Sequence, residues 1–558
     1  MPVTTSAARA ALLLLLAAAP GALRAQPVRP YRPAVDVLDY ELTLTLPDTG
    51  TRVSGRATLR VLRVAPLDTL VLDLVGMEVT DARVGGAAAR FAQDSAAVRI
   101  ALPAADGMAV TKDAPAGGAA PDTLLVSVAY QGAPRDGLII TRDSLGRWMA
   151  FGDNWPNRAR NWIPSVDHPS DKATVTWVVD APEALTVVAN GTRVSRERSG
   201  PGRALTHWRE ARPIPVYLMV IAAAPLVEVD LGESACGRAE LRRCVRQTVY
   251  AMPESRDFLP GPFTHAHEIV GWFSEIVGPF PYEKLAHLES STRFGGMENA
   301  SAIFYAASLF RRRSLGPGII AHETAHQWFG DAVTEREWSH LWLSEGFATY
   351  FEELWRQRFV GDTAFRRGMA EIREQIVSAA PVAERPVLDT AETNYLRLLN
   401  ANSYQKGGYV LHMLRTYVGD SAFFRGVRSY YAKHRHSTAL TDDLRAELES
   451  ASGQPLGWFF DQWLRRPGWA EVATRWTWDA AARQVTLEVR QGERFGPYRL
   501  PLEVRVTDAA GRSQTVRVDV PAERESRLVL PLRLTGRPRA VTPDPKGDLL
   551  AVFTELRP

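Results

Sequence analysis

Only two cysteines, Cys236 and Cys244, occur in 558 residues, so neither a disulfide scaffold nor a cysteine-built metal site can organise this chain. Seven residues separate them, and in an oxidising compartment the pair is expected to close a short loop between strands. An excess of one charge is also missing. The 66 Lys and Arg against 63 Asp and Glu leave a net charge of +3, which excludes the basic footprint of a nucleic-acid-binding protein and a polybasic membrane tether. No apolar run reaches the roughly 20 residues that span a bilayer. The run Ala10 to Ala19 follows Arg9 and leads through small residues to Ala25, which reads as a secretory signal cut before Gln26. The expected location is therefore the periplasm or the medium. No repeat of solenoid or propeller period is present.

What is there is the balance of a globular protein, 46% apolar and 23% charged, long enough for several domains at roughly 150 residues each. After the signal at 1–25, residues 26–225 alternate with period two, as at Tyr40, Leu42, Leu44 and Leu46, in Thr123 to Ala129 and in Ala173 to Val179. These are strands with one buried face. Ala104 to Pro121, packed with Gly, Ala and Pro, reads as a surface loop. Residues 226–469 turn to helical spacing, with helices expected at Pro262 to Val277, Pro317 to Gly330, Ser339 to Phe359, Thr363 to Ala379, Tyr404 to Val418 and Asp442 to Gly453. Alternation returns in 470–558, at Gln484 to Val489, Leu502 to Val506 and Thr515 to Val520, as in a small β-sandwich.

The chemistry centres on His322-Glu323-Thr324-Ala325-His326 within a helical segment. Residues four apart share a helical face, so both imidazoles can meet one metal ion. Neutral imidazole suits zinc, and a catalytic zinc site takes a third protein ligand while keeping one position open. Eighteen residues separate His326 from Glu345, in Leu341-Trp-Leu-Ser-Glu-Gly-Phe-Ala348, and a returning helix would bring its carboxylate back over the histidines. Two imidazoles and one carboxylate leave the metal a single positive charge, enough to lower the pKa of a bound water to about 7. Glu323 is then the natural base for that water. With 11 His in the chain, chance would supply this motif on the order of 0.01 times. Two helix histidines beside an unrelated glutamate are a far poorer account.

These residues resemble the aminopeptidase N-like zinc metallopeptidases, a branch of the gluzincins. The resemblance rests on His322 to Thr334, Leu341 to Ala348, Phe294-Gly-Gly-Met-Glu-Asn299 and Tyr404-Gln-Lys-Gly407, in that family's short, three-domain form. Weaker echoes reach Arg160 to Pro164, Asn190-Gly191 and Phe460 to Trp463. The resemblance implies a multidomain α+β fold: an N-terminal β-sheet saddle, a thermolysin-like, mainly helical catalytic domain and a small C-terminal β-sandwich. It implies one zinc per chain, peptides with a free N-terminus as partners, and removal of the first residue. Gly295, Gly296, Met297, Glu298 and Asn299 would line the substrate backbone, with Glu298 taking the α-ammonium, and Tyr404 would hold the oxyanion. The long helical C-terminal domain of larger members is expected to be absent, opening the cleft.

One departure stands out. Family members carry a Gln or Glu upstream that shares the ammonium, and here the position falls at Trp155 in Phe151-Gly-Asp-Asn-Trp155. Either Asp153 substitutes, or Trp155 lines the first side-chain pocket and Glu298 acts with little help. Arg311-Arg312-Arg313 reads as a solvated charge run, and the scattered Trp residues read as core. A thermolysin-type endopeptidase would share the zinc triad without needing Glu298. An epoxide hydrolase would share the whole site, and a binding protein on a dead peptidase fold would be expected to have lost ligands or base.

Overall fold

The structure is a computed structural model of the chain, and it describes residues 31–104, 122–234 and 245–557. The signal segment, both cysteines and nearly all of the Ala104 to Pro121 loop lie outside the described residues.

The alternating N-terminal segments form an eight-stranded sheet. At its centre Val35–Thr45 runs parallel to Lys172–Pro182 and antiparallel to Val53–Arg63. Tyr40, Leu42, Leu44 and Leu46 turn inward and are at most 1% exposed, which is why the period-two pattern is so plain here. A second sheet, of four strands, pairs Trp148–Asp153 with Gly137–Arg142 on one side and Ile221–Ala224 on the other. This small sheet faces the next domain.

The helical region begins with a five-stranded sheet. Val245–Ala251, Lys284–Ser290 and Ala302–Ala306 run parallel, and the two-residue strand Gly296–Met297 lies antiparallel at the edge. Five of its helices position the site: α1 (Ala266–Ile276), α2 (Pro317–His326), α3 (Trp342–Phe359), α4 (Asp362–Ser378) and α5 (Gly407–Val418). Helix α2 starts with Pro317 at its first position, where the missing N–H costs nothing. It stops at His326, short of the expected Gly330, because the chain must turn back toward α3. Gly330 makes that turn at φ 115°. A Cβ there would sit 2.2 Å from Ser344 Oγ, so only glycine lets the turn pack against the helix that carries Glu345.

The segment expected as one helix from Tyr404 to Val418 is two. A π-helical turn, Asn402–Lys406, precedes α5. Asp420–His434 and Gly457–Leu464 are further helices that the sequence reading passed over. Beyond them, a four-stranded and a three-stranded sheet form the C-terminal β-region. Its apolar interior is continuous with that of the helical region, as where Trp463 stacks on Tyr498 at 4.8 Å. No helix among the described residues is long and apolar enough to cross a membrane.

Candidate active site and metal centre

Helix α2 presents His322 and His326 on one face, their Nε2 atoms 3.3 Å apart. Helix α3 returns antiparallel, so that Glu345 Oε2 lies 3.3 Å from His326 Nε2 and 3.7 Å from His322 Nε2. That oxygen is buried and has no hydrogen-bond partner. An orphaned carboxylate oxygen aimed between two imidazole nitrogens is costly unless a cation completes it. Burial opposes ionisation of Glu345, but the neighbouring charges of His326 and His322 outweigh it and hold the carboxyl at about 2. The donor set, two nitrogens and one anionic oxygen with a side left open, fits zinc.

The residues behind the ligands fix their orientation. Ser344 Oγ lies 2.9 Å from His326 Nδ1, and Glu352 Oε2 lies 3.7 Å from His322 Nδ1. Such partners select which ring nitrogen faces the metal. Sequence reasoning missed both, although Ser344 adjoins Glu345 and Glu352 follows it by two helical turns.

Glu323 stands beside the triad, 5% exposed. Burial pushes its carboxyl up to about 7, against the pull of His322 and His326. Across the cleft lies the edge strand, and a Cβ on Gly296 would come 2.0 Å from Glu323 Oε1. The strand backbone therefore touches the carboxylate, which only glycine permits. Met297 is buried, and Gly295 closes the strand's start, its carbonyl accepting from Ala306 N at 3.0 Å. Tyr404, carried by the π-helical turn, donates to Glu345 Oε1 at 2.8 Å. Burial and then the Glu345 charge push its phenol well above the ordinary range, so it stays a neutral donor.

Glu298 is 6% exposed and faces the same cleft. Burial raises its carboxyl above the usual range, against the pull of His326, and Glu298, Glu323 and His326 bring their polar atoms within 4.8 Å of one another. The Glu298 loop is held from several sides. Gln327 Nε2 donates to Glu298 O at 2.8 Å, and Gln327 Oε1 accepts from Ser301 N at 2.8 Å. From the N-terminal domain, Asn190 Nδ2 donates to Ala300 O at 2.7 Å and Gly191 N to Ser301 Oγ at 2.8 Å. Asn299, wholly buried, leaves both side-chain polar atoms without a partner.

The structure also separates the two readings of the 153–155 segment. Asp153 is fully buried, and its Oδ1 accepts from Arg158 Nη2 at 2.6 Å. Trp155, by contrast, lines the cleft of about 210 Å³ together with Phe294 and Leu399. Its ring meets Phe294 edge-on at 6.3 Å and Trp338 at 5.4 Å. Trp155 thus walls the cleft while Asp153 is spent on arginine. The Arg311 to Arg313 run is exposed, with Arg313 paired to Asp257 at 2.6 Å.

Comparison with known proteins agrees with this geometry. Residues 263–463 match the Peptidase family M1 domain and residues 37–218 the Peptidase M1 N-terminal domain. A leucyl aminopeptidase of Saccharolobus solfataricus is 26% identical over 79% of this chain and 55% of its own length. An aminopeptidase N of Streptomyces lividans is 28% identical over 65% of this chain and 45% of its own. The chain thus spans about half the length of these curated relatives. An M1 zinc metallopeptidase of Deinococcus radiodurans superposes with a TM-score of 0.66 at 27% identity, covering 78% of this chain and 94% of that one. A variant of it has been solved with a Tyr-Ser-Ala substrate, and superposes at 0.66 with 26% identity over 78% of this chain and 95% of that one.

Proposed function

The chain belongs to the peptidase M1 family, and we propose that it is a zinc aminopeptidase that hydrolyses the first peptide bond of peptides with a free N-terminus. The observation that carries the reading is the position of Glu298, a buried carboxylate that lines the same cleft as the metal triad, lies within 4.8 Å of Glu323 and His326, and forms no ion pair with a lysine or arginine among the described residues. An α-ammonium held there places the first peptide bond beside Glu323, and such positioning replaces the entropy cost of a bimolecular encounter.

His322, His326 and Glu345 would hold the ion. When bound, zinc supplies Lewis-acid polarisation and a water made acidic near neutral pH. Glu323, beside the triad and buried, takes the proton of the attacking water on a carboxylate oxygen and returns it to the departing amine nitrogen. Tyr404 turns its hydroxyl from Glu345 to the oxyanion that forms at the scissile carbonyl, a donor worth about 10²-fold or more in rate. The edge strand Gly296–Met297 offers backbone hydrogen bonds that align the substrate as one more strand. The Deinococcus enzyme's tripeptide complex supports substrates of this class. Export through the segment ending at Ala25 is part of the same proposal, and N-terminal sequencing of the mature protein tests it.

The test is chromophore release from free-amine aminoacyl substrates and their N-acetylated twins, with and without a zinc chelator. Chelator-sensitive cleavage of the free-amine set alone is the expected result. Equal cleavage of both sets would point to an endopeptidase, and silence with zinc bound would sink the reading.

A further inference from the structure

The metal triad, Glu323, Tyr404 and Glu298 account for every ionisable side chain that lines the catalytic cleft. The side chains left over are Trp155, Phe294, Met297 and Leu399, and all four are apolar. In a peptide the first Cα is bonded both to the amine nitrogen and to the carbonyl carbon. With the amine at Glu298, whose polar atoms lie within 4.8 Å of those of Glu323 and His326, that Cα must sit inside this cleft of about 210 Å³. Its side chain then has only the four apolar residues to meet.

The charges behind this wall are spent on one another. Arg158 lies over Phe294, its guanidinium 5.9 Å from the ring centre, and donates to Asp136 at 2.8 Å, to Asp153 at 2.6 Å and to the carbonyl of Trp155 at 2.6 Å. Arg293 pairs with the same two aspartates, at 2.9 and 3.7 Å. Two guanidiniums and two carboxylates thus balance. A charged first side chain would leave water here without finding an opposite charge, which disfavours lysine, arginine, aspartate and glutamate at that position.

The wall also has the shape for a flat ring. Trp155 and Phe294 stand at 88° to one another with their centroids 6.3 Å apart, which makes a right-angled corner. A planar ring set in it stacks on one aromatic face and turns its edge to the other, the two arrangements that aromatic pairs prefer. Met297, 3% exposed, adds a thioether, which packs well against ring edges. Trp155 is 2% exposed and is braced by Trp338 at 5.4 Å, which itself packs on Tyr395 at 5.8 Å. The corner is therefore formed before a substrate arrives. We propose that Trp155 is the specificity-determining residue of this site and that the protein takes peptides whose first residue is aromatic. The proposal rests on the aminopeptidase reading and adds to it the class of substrate.

The experiment measures kcat/KM of the zinc-loaded protein on free-amine chromophores of phenylalanine, tyrosine, leucine, alanine, lysine and glutamate. Trp155→Phe, Trp155→Ala and Leu399→Ala are run on the same set, with a circular dichroism spectrum of each. For the unaltered protein phenylalanine should exceed alanine about 100-fold, leucine about threefold, and lysine and glutamate about 100-fold or more. Trp155→Phe should keep the phenylalanine-to-alanine ratio within about threefold, and Trp155→Ala should lower it about tenfold. Leu399→Ala, at a half-buried position, should lower it about threefold. The proposal is overturned if the unaltered protein cleaves any other member of the set faster than phenylalanine and tyrosine, or if a folded Trp155→Ala keeps the ratio. If Trp155→Ala loses its fold, Leu399→Ala decides, and an unchanged ratio there overturns the proposal. Failure of the aminopeptidase reading is distinguishable, because the unaltered protein would then cleave none of the free-amine set, or would cleave the N-acetylated twins equally.

Discussion

The two walls of the catalytic cleft are built in opposite ways. The helical wall, His322 to His326 on α2 with Glu345 on α3, is made by one helix, one glycine turn and a returning helix. The loop wall, Gly295 to Ser301, is held by residues far away in sequence, Asn190 being 110 positions from its partner Ala300. In the proposed reading, one wall carries the chemistry and the other chooses the peptide end. On that reading, the metal-holding wall rests on contacts close in sequence, while the loop that would select the terminus rests on bonds from the N-terminal domain.

Breaking the helical wall at its base should have the largest effect. Glu323→Gln is expected to lower kcat by about 10³-fold or more with zinc content unchanged, measured by turnover and by metal analysis of the same sample. Breaking the loop wall at its tip comes next. Glu298→Ala should lower kcat/KM on free-amine substrates by about 100-fold, the scale of a lost charge-assisted contact of ~2.7 kcal/mol. Any residual cleavage of N-acetylated substrates should be untouched. If Glu298→Ala removed zinc as well, the two walls would not be separable.

The comparison sharpens at Asn190, which lies in neither wall. Its side chain accepts from Val220 N at 2.7 Å and donates to Leu218 O and Ala300 O. Asn190→Ala orphans these buried groups, and about tenfold lower kcat/KM on free-amine substrates is expected at unchanged zinc affinity. Equal loss of zinc affinity would show that the domain contact supports both walls.

The last effect concerns the sheet beneath them and should leave turnover near neutral pH untouched. His287 is wholly buried between Tyr305 OH at 3.1 Å and Gln247 Oε1 at 2.9 Å, and burial lowers its pKa from 6.5 to about 3. The unfolded chain binds this proton more readily than the folded one. The group's contribution is thus full above pH 6.5 and is lost as pH falls toward 3, at a limiting slope of about 1.4 kcal/mol per pH unit. His287→Gln should flatten that acid limb in urea melts, and an unchanged slope would assign acid sensitivity to other groups.

Much of this was legible because it is periodic or local. Tyr40 to Leu46 announces a half-buried strand, and the spacing of His322, His326 and Glu345 is a property of helices. The π-helical turn before Gly407 was not legible, since Asn402–Lys406 reads as a continuation of α5 and owes its shape to bonds such as Asn402 Nδ2 to Pro381 O at 3.0 Å. Nor could the sequence choose between Asp153 and Trp155, because the choice was made by Arg158, whose guanidinium captures the aspartate. Gln327 follows His326 directly in the motif, yet its clamp on Glu298 and Ser301 appears only once the edge strand is in place.

The shortness of that edge strand has a consequence for the protein's company in solution. An open sheet edge is a template on which other chains can pair and aggregate. Here the ladder is two residues long, it lies against a carboxylate, and it sits within a cleft walled by Trp155 and Phe294. The same two residues that are proposed to pair with a peptide substrate thus offer little length of ladder for a second sheet to join.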